Sequence, residues 1–156
     1  MLSHEMKIRI DDLSGQAIAD FLAAHLDAMA ELSPPQSRHA LDLAGLRVPE
    51  VTFWSVWDGE SLMGCGALKE LDGEHGEIKS MRTAPDHRRR GVGAAMLDHI
   101  LVEARARRYR RLSLETGSMD AFRPAHALYR RFGFRFCAPF GDYVEDSNSV
   151  FMTREL

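Results

Sequence analysis

The residues best suited to chemistry stand together in Arg88-Arg89-Arg90-Gly91-Val92-Gly93-Ala94. Glu77 to Thr83, just before, has the pattern of a strand, and Val92 to Arg108 that of a helix, with Pro85 and Asp86 at the join. A helix that starts straight out of a glycine-rich turn leaves its first backbone N–H groups without intrahelical partners. Those groups and the positive end of the helix dipole attract anions. Gly91 and Gly93 present no side chain to fend off a ligand. The three arginines add charge-assisted donors suited to phosphate. The loop is not a P-loop, because G-x-x-x-x-G-K-[ST] is missing. Nor is it a dinucleotide turn, because the last glycine position of G-x-G-x-x-G is Met96. A basic turn that caps a core helix is the alternative reading of the same residues.

The elements that must position this loop follow from hydrophobic period and turn chemistry. Met6 to Ile10 alternates as a strand, and Asp11, Asp12 or Ser14 offers an N-cap to a helix over Gly15 to Met29. Pro34 and Pro35 forbid its continuation, and Gln36 to Leu46 holds a second, shorter helix. Val51 to Trp57 and Leu62 to Leu71 are strands joined by an Asp58-Gly59 hairpin turn. Gly64 and Gly66 within the second of them mark a close backbone approach or a bulge. Asp72-Gly73 turns the chain into Glu77 to Thr83, antiparallel to its predecessor. The helix after the glycine loop carries Val92, Met96, Leu97, Ile100, Leu101 and Ala104 on one side. Leu112 to Thr116 follows as a strand, so strand, crossover helix and strand form one βαβ unit with its strands parallel. Phe122 to Phe132 is a last helix, stopped by Gly133, and Phe134 to Ala138 and Ser149 to Arg154 close the sheet.

Bulk composition narrows the function classes. The 156 residues fit one domain, taken as 1–156, with a real core, and 45% apolar and 28% charged residues are ordinary for a globular protein. The formal net charge of −3 gives no global pull toward nucleic acid. Positive charge is local: nine arginines fall between Arg82 and Arg111. Arg105, Arg107, Arg108, Arg110 and Arg111 read as a solvated helix end complementing the dipole rather than a nucleic-acid patch, since only Tyr109 interleaves them. No apolar run reaches the roughly 18 residues of a membrane span, and the N-terminus shows no leader pattern. Cys65 and Cys137 make neither a disulfide framework nor a metal site, so a reduced, cytoplasmic setting without a metal is expected.

The spacing Arg88-x-x-Gly91-x-Gly93 resembles the [QR]-x-x-G-x-[GA] pyrophosphate loop of the GNAT (Gcn5-related) N-acetyltransferases. The element order β-α-α-β-β-β-α-β-α-β-β matches that family end to end. Leu128-Tyr129-Arg130-Arg131-Phe132-Gly133-Phe134 resembles the L-Y-x-x-x-G-F ending of its last helix. Further segments, Leu114 to Gly117, Pro139 to Tyr143 and Val150 to Met152, resemble a small bacterial single-domain subgroup. The resemblance implies an α/β (α+β) fold: a mixed, mostly antiparallel seven-stranded sheet with a central splayed parallel pair, and four helices. It also implies transfer of acetyl from acetyl-CoA to a primary amine of a small molecule or peptide by direct attack. A homodimer is compatible with it. The runner-up from another class is a degenerate domain that binds CoA as a regulatory module.

The same resemblance assigns roles. Met81, Arg82 and Thr83 at the strand end, with Arg88, Arg89, Arg90, Gly91, Val92, Gly93 and Ala94, would hold the cosubstrate. The Met81 N–H would serve as oxyanion donor, and Thr83 would meet the pantetheine amide. Tyr129 would be the general acid: a phenol is protonated at neutral pH and can give its proton to a leaving thiolate. The alternative is a tyrosine packed at a helix end. Glu77, eleven positions before Arg88, would take the amine proton directly or through water. Equally, it could be a structural carboxylate paired with Lys79. Glu115 and His126 are weaker bases. One departure stands out: the family's Asn seven residues before the helix tyrosine is Phe122 here, leaving Ser118 or backbone to replace its contact. For the acceptor, Arg38 or His39 could hold a carboxylate, and Asp142 to Asp146 an ammonium.

Overall fold

The computed structural model describes residues 6–35 and 41–156. The strands are β1 (Met6–Ile10), β2 (Val51–Asp58), β3 (Ser61–Asp72), β4 (His75–Thr83), β5 (Arg111–Gly117), β6 (Arg135–Cys137) and β7 (Ser149–Glu155). The helices are α1 (Gln16–Leu32), α2 (Leu43–Leu46), α3 (Val92–Ala106) and α4 (Arg123–Arg131). One seven-stranded sheet runs β1-β2-β3-β4-β5-β7-β6. Every neighbouring pair is antiparallel except β4 with β5. The expected order, hairpin and parallel pair are all present. Of the helix expected over Gln36 to Leu46, residues 36–40, with Arg38 and His39, lie outside the described residues. The described part is the single turn α2, capped by Asp42, whose Oδ1 accepts from the Gly45 N–H at 2.9 Å.

Alternation along the strands sends successive side chains to opposite faces. Leu68, Ile78, Leu112, Leu114 and Met152 pack on one face with Met96, Leu97 and Ile100 of α3 and Tyr129 of α4. Phe53, Cys65 and Ala67 pack on the other with Ile18 and Leu22 of α1 and Leu46 of α2. Gly66 lets α3 come close: a Cβ there would stand 2.7 Å from Met96 Cγ.

The entry to α1 differs from expectation. Its N-cap is Gly15, with no side-chain cap. Asp12 Oδ1 instead accepts from the Ser14 N–H and Oγ at 3.0 and 2.6 Å, and Asp11 Oδ1 from the Leu13 N–H at 2.8 Å. These aspartates build a turn rather than a cap. Leu13 sits in it at φ 66° and is buried against the α1 face of the sheet.

Candidate active site

The site begins where the sheet comes apart. β4 and β5 pair from His75–Arg111 to Ile78–Leu114 and no further, although both strands continue. The cause lies on the other side of β4. Its register with β3 jumps from Ala67–Lys79 to Cys65–Arg82, so Ser80 and Met81 together oppose Gly66. This bulge, with Ser80 at φ 55°, bends β4 and turns it away from β5. A slot opens between the two strand ends, edged by the backbone of Met81 to Thr83, the segment expected to receive the thioester arm. The Ser80 hydroxyl is buried at the bulge without a hydrogen-bond partner among the described residues.

At the end of the slot lies the glycine loop. Gly91, the N-cap of α3, has φ 79°, and Arg89 has φ 66°. Left-handed residues in a tight turn help bring successive N–H groups together, the kind of concavity that binds anions. Nothing lies within 4 Å of the place a Gly91 Cβ would occupy, so the cradle is open. A Cβ on Gly93 would stand 3.1 Å from Leu128 Cδ2 and 3.8 Å from Thr83 Oγ1. The loop, the end of β4 and the helix carrying Tyr129 therefore meet at one point. Arg88 and Arg89 are exposed beside the cradle. Arg90 is not: its Nη1 donates to His87 Nδ1 at 2.6 Å and its Nη2 lies 3.7 Å from Asp58 Oδ2. It braces the loop against the β2–β3 turn.

On the sheet face away from α3, Glu77 is 3% exposed. Its Oε2 accepts from Tyr143 Oη at 2.5 Å and from Lys79 Nζ at 3.1 Å, and Lys79 Nζ also donates to Tyr143 Oη at 3.0 Å. Tyr143 comes from the 138–148 segment, which covers this face through Phe140, stacked edge-on to Phe151 at 5.9 Å. Burial first, then the Glu77 charge, raises the Tyr143 phenol above its ordinary pKa, so Tyr143 is the donor in the pair. Tyr129 is 6% exposed, its ring packed on Phe134 with centroids 5.8 Å apart. Burial raises its pKa, which keeps the phenol protonated.

A family model described as "Acetyltransferase (GNAT) family" matches residues 17–134. The chain is 59% identical over 151 residues to the N-acetyltransferase YsnE of Bacillus subtilis (strain 168), covering 97% of this chain and 100% of that one. The chain belongs to the GNAT acetyltransferase family. Among solved structures, an acyl-CoA N-acyltransferase from Klebsiella pneumoniae aligns with TM-score 0.74 and 27% identity over 97% of both chains. A GNAT acetyltransferase from Elizabethkingia anophelis, solved with acetyl-CoA bound, aligns with TM-score 0.66 and 18% identity over 97% of this chain and 99% of that one. This GNAT protein is an acetyl-CoA-dependent N-acetyltransferase. Among the described residues, no helix is long and apolar enough to cross a membrane.

The residues that depart from the GNAT pattern have physical explanations. Phe122, in place of the usual Asn, packs against Gly117 at the end of β5, so closely that any Cβ on Gly117 would overlap its ring. Ser118 Oγ donates to the Ser147 carbonyl at 2.7 Å and ties the chain there. His126 Nε2 lies 2.8 Å from the Gly117 carbonyl and its ring stacks edge-on to Phe136. Glu115 Oε2 accepts from Ser149 Oγ at 2.8 Å. The arginines after α3 serve its end: Arg107 bonds Glu103 and Thr52, Arg110 pairs with Glu74, and Arg111 donates to Thr153. The link from Tyr143 to Glu77 was beyond sequence reasoning, because 66 positions separate them and no motif joins them. The Glu77–Lys79 pair was legible, since i and i+2 share one face of a strand.

Proposed function

We propose that this acetyltransferase moves acetyl from acetyl-CoA to the primary amine of a small molecule or peptide by direct attack, with residues 1–156 acting as one domain. The observation that carries the reading is the slot itself. Pairing of β4 with β5 ceases at Ile78–Leu114, between an open anion cradle at Gly91 and a buried carboxylate at Glu77. The residues fit the cosubstrate. The N–H groups from Arg89 to Gly93 hold the pyrophosphate, with Arg88 and Arg89 adding charge, while Val92 and Ala94 fix the first turn that presents them. The backbone of Met81 to Thr83 hydrogen-bonds the pantetheine arm.

The amine lone pair forms a C–N bond to the thioester carbonyl, and negative charge gathers on the carbonyl oxygen. The Met81 N–H donates to that oxygen; a fixed donor at a developing charge is the largest single source of acceleration in acyl transfer. As the C–S bond breaks, Tyr129 gives its proton to the leaving sulfur. The low-dielectric site that raises the phenol raises a thiol as well, so their match survives burial. Glu77 takes the amine proton through a water or through Tyr143, whose own proton then passes to Oε2.

The test is release of CoA from acetyl-CoA with pooled primary amines, against matched pools of secondary amines and alcohols. Release with primary amines alone supports the reading. Release only with alcohols refutes it.

A further inference from the structure

Beyond the bulge, β4 carries a cation that the transfer chemistry does not use. Arg82 stands opposite Cys65 in the β3–β4 register, so the two side chains share a face. Cys65 belongs to the cluster formed with Ile18 and Leu22 of α1. Arg82 thus turns toward α1, while its neighbour Thr83 turns toward Gly93 on α3. The two sides of the strand end are divided between them: backbone and Thr83 toward the thioester slot, the Arg82 side chain toward the face where Glu77, Lys79 and Tyr143 lie. Arg82 is half-buried, and among the described residues its guanidinium makes no hydrogen bond or ion pair. Burial and then the Arg88 charge lower its pKa.

A second, independent orphan faces the same place. His25 lies one and two turns beyond Leu22 and Ile18 on the sheet-facing side of α1. It is 6% exposed, and its Nδ1 is buried with no partner among the described residues. Burial first, then the charge of Arg82, holds its pKa at about 4, so near pH 7 it is a neutral ring able to donate one N–H. The neighbouring carboxylate, Asp11, is already committed to Ser55 Oγ and the Leu13 N–H. Buried polar groups without partners are rare in folded proteins and mark places where a ligand completes the bonding.

We propose that Arg82 and His25 form an anion subsite for the acceptor, and that the acceptor is an amine bearing a carboxylate. This deepens the reading of the site as a primary-amine acetyltransferase and rests on it. The planar guanidinium fork matches a carboxylate through two parallel hydrogen bonds. One cation with one neutral donor balances a monoanion, whereas a phosphate monoester carries close to two charges at pH 7. The acceptor is then held at both ends: carboxylate at Arg82 beyond the bulge, amine toward Glu77 before it, with the Met81 amide between.

The experiment measures CoA release with the twenty amino acids, their carboxamides, spermidine and O-phosphoethanolamine, at saturating acetyl-CoA. The expected result is a preferred amino acid whose kcat/KM exceeds that of its amide by about a hundredfold, a range typical of a lost charged hydrogen-bond pair. Arg82→Gln brings that ratio to within about threefold of one, Arg82→Lys restores part of it, and His25→Phe lowers it less. The ratio reads only molecules that fold and turn over, so loss of stability does not imitate the effect. Equal use of acids and amides overturns the proposal, as does preference for O-phosphoethanolamine. A weaker acetyl-CoA affinity for Arg82→Gln by calorimetry, with the ratio unchanged, also overturns it and places Arg82 on the cosubstrate. Turnover of spermidine with none of the acids overturns it while leaving the acetyltransferase reading intact. No turnover of any amine overturns both.

Discussion

Glu77 is the residue whose structural and catalytic roles are hardest to separate, and the geometry offers a way. Its carboxylate and the Lys79 ammonium are 4% and 9% exposed and lie 3.1 Å apart. Removing one member of such a pair leaves the other buried and uncompensated, which costs about 3–5 kcal/mol, whereas replacing both with uncharged side chains is close to neutral. Glu77→Gln should therefore lose about 3 kcal/mol in urea denaturation. That corresponds to a fall in Tm of roughly 6–12 °C for a chain of this size. Glu77→Gln with Lys79→Met should recover most of that stability, because the two sites are coupled and the penalty belongs to the orphaned charge. Activity should not follow. With the proton acceptor gone, kcat at pH 7 should stay roughly 10²-fold or more below wild type in both variants. The loss should shrink as pH rises and free amine becomes available. The assay is CoA release under saturating substrates, on protein shown to be folded at the assay temperature. Should kcat return in the double variant together with Tm, Glu77 is a structural carboxylate and the proton leaves by another route.

Four further outcomes are expected. Tyr129→Phe keeps the ring against Phe134 and should lower kcat by roughly 10² while leaving acetyl-CoA affinity unchanged, since the proton is needed only as the C–S bond breaks; a raised KM with unchanged kcat would make the hydroxyl a binding group. At Gly91 the φ of 79° makes any side chain strained, by about 1–2 kcal/mol, but the space is open. Gly91→Ala should thus destabilise without blocking acetyl-CoA, and Gly91→Asp should weaken calorimetric affinity at least tenfold, about 1.4 kcal/mol. Gly117→Ala should cost about 1–3 kcal/mol by overlap with Phe122, and Phe122→Leu should rescue it in the same denaturation assay. Finally, His25 has a pKa of about 4 folded against an ordinary 6.5, so the unfolded chain binds the proton more readily. Its contribution, about 3 kcal/mol, is complete above pH 6.5 and is lost as pH falls toward 4. His75, lowered mainly by burial, acts in the same sense, and His25→Gln should flatten the urea midpoint between pH 7 and 4.5.

Local rules made the outline of this protein readable. Alternation in Met6–Ile10, helical spacing from Val92 to Ala104, the Asp58-Gly59 turn and the stop at Gly133 are each written within a few residues, because each depends on backbone geometry and near-neighbour burial. The glycine turn before α3 was legible for the same reason: Gly91 at φ 79° sets its backbone conformation, so a six-residue pattern carries it. The entry to α1 was not, because Asp11 and Asp12 bond the Leu13 and Ser14 N–H groups in a turn that buries Leu13 instead of capping the helix. The long-range contacts around Glu77 and Arg82 came from tertiary structure alone. The slot depends on one extra residue in β4, Ser80 and Met81 together opposite Gly66, a register that only the finished β3–β4 pairing defines. Tyr143 reaches Glu77 across 66 residues, and α1 sets His25 on the sheet face that carries Arg82, through packing that no spacing along the chain encodes. Side chains that meet by burial rather than by sequence neighbourhood are fixed by how the layers pack, because that packing joins residues far apart in the chain.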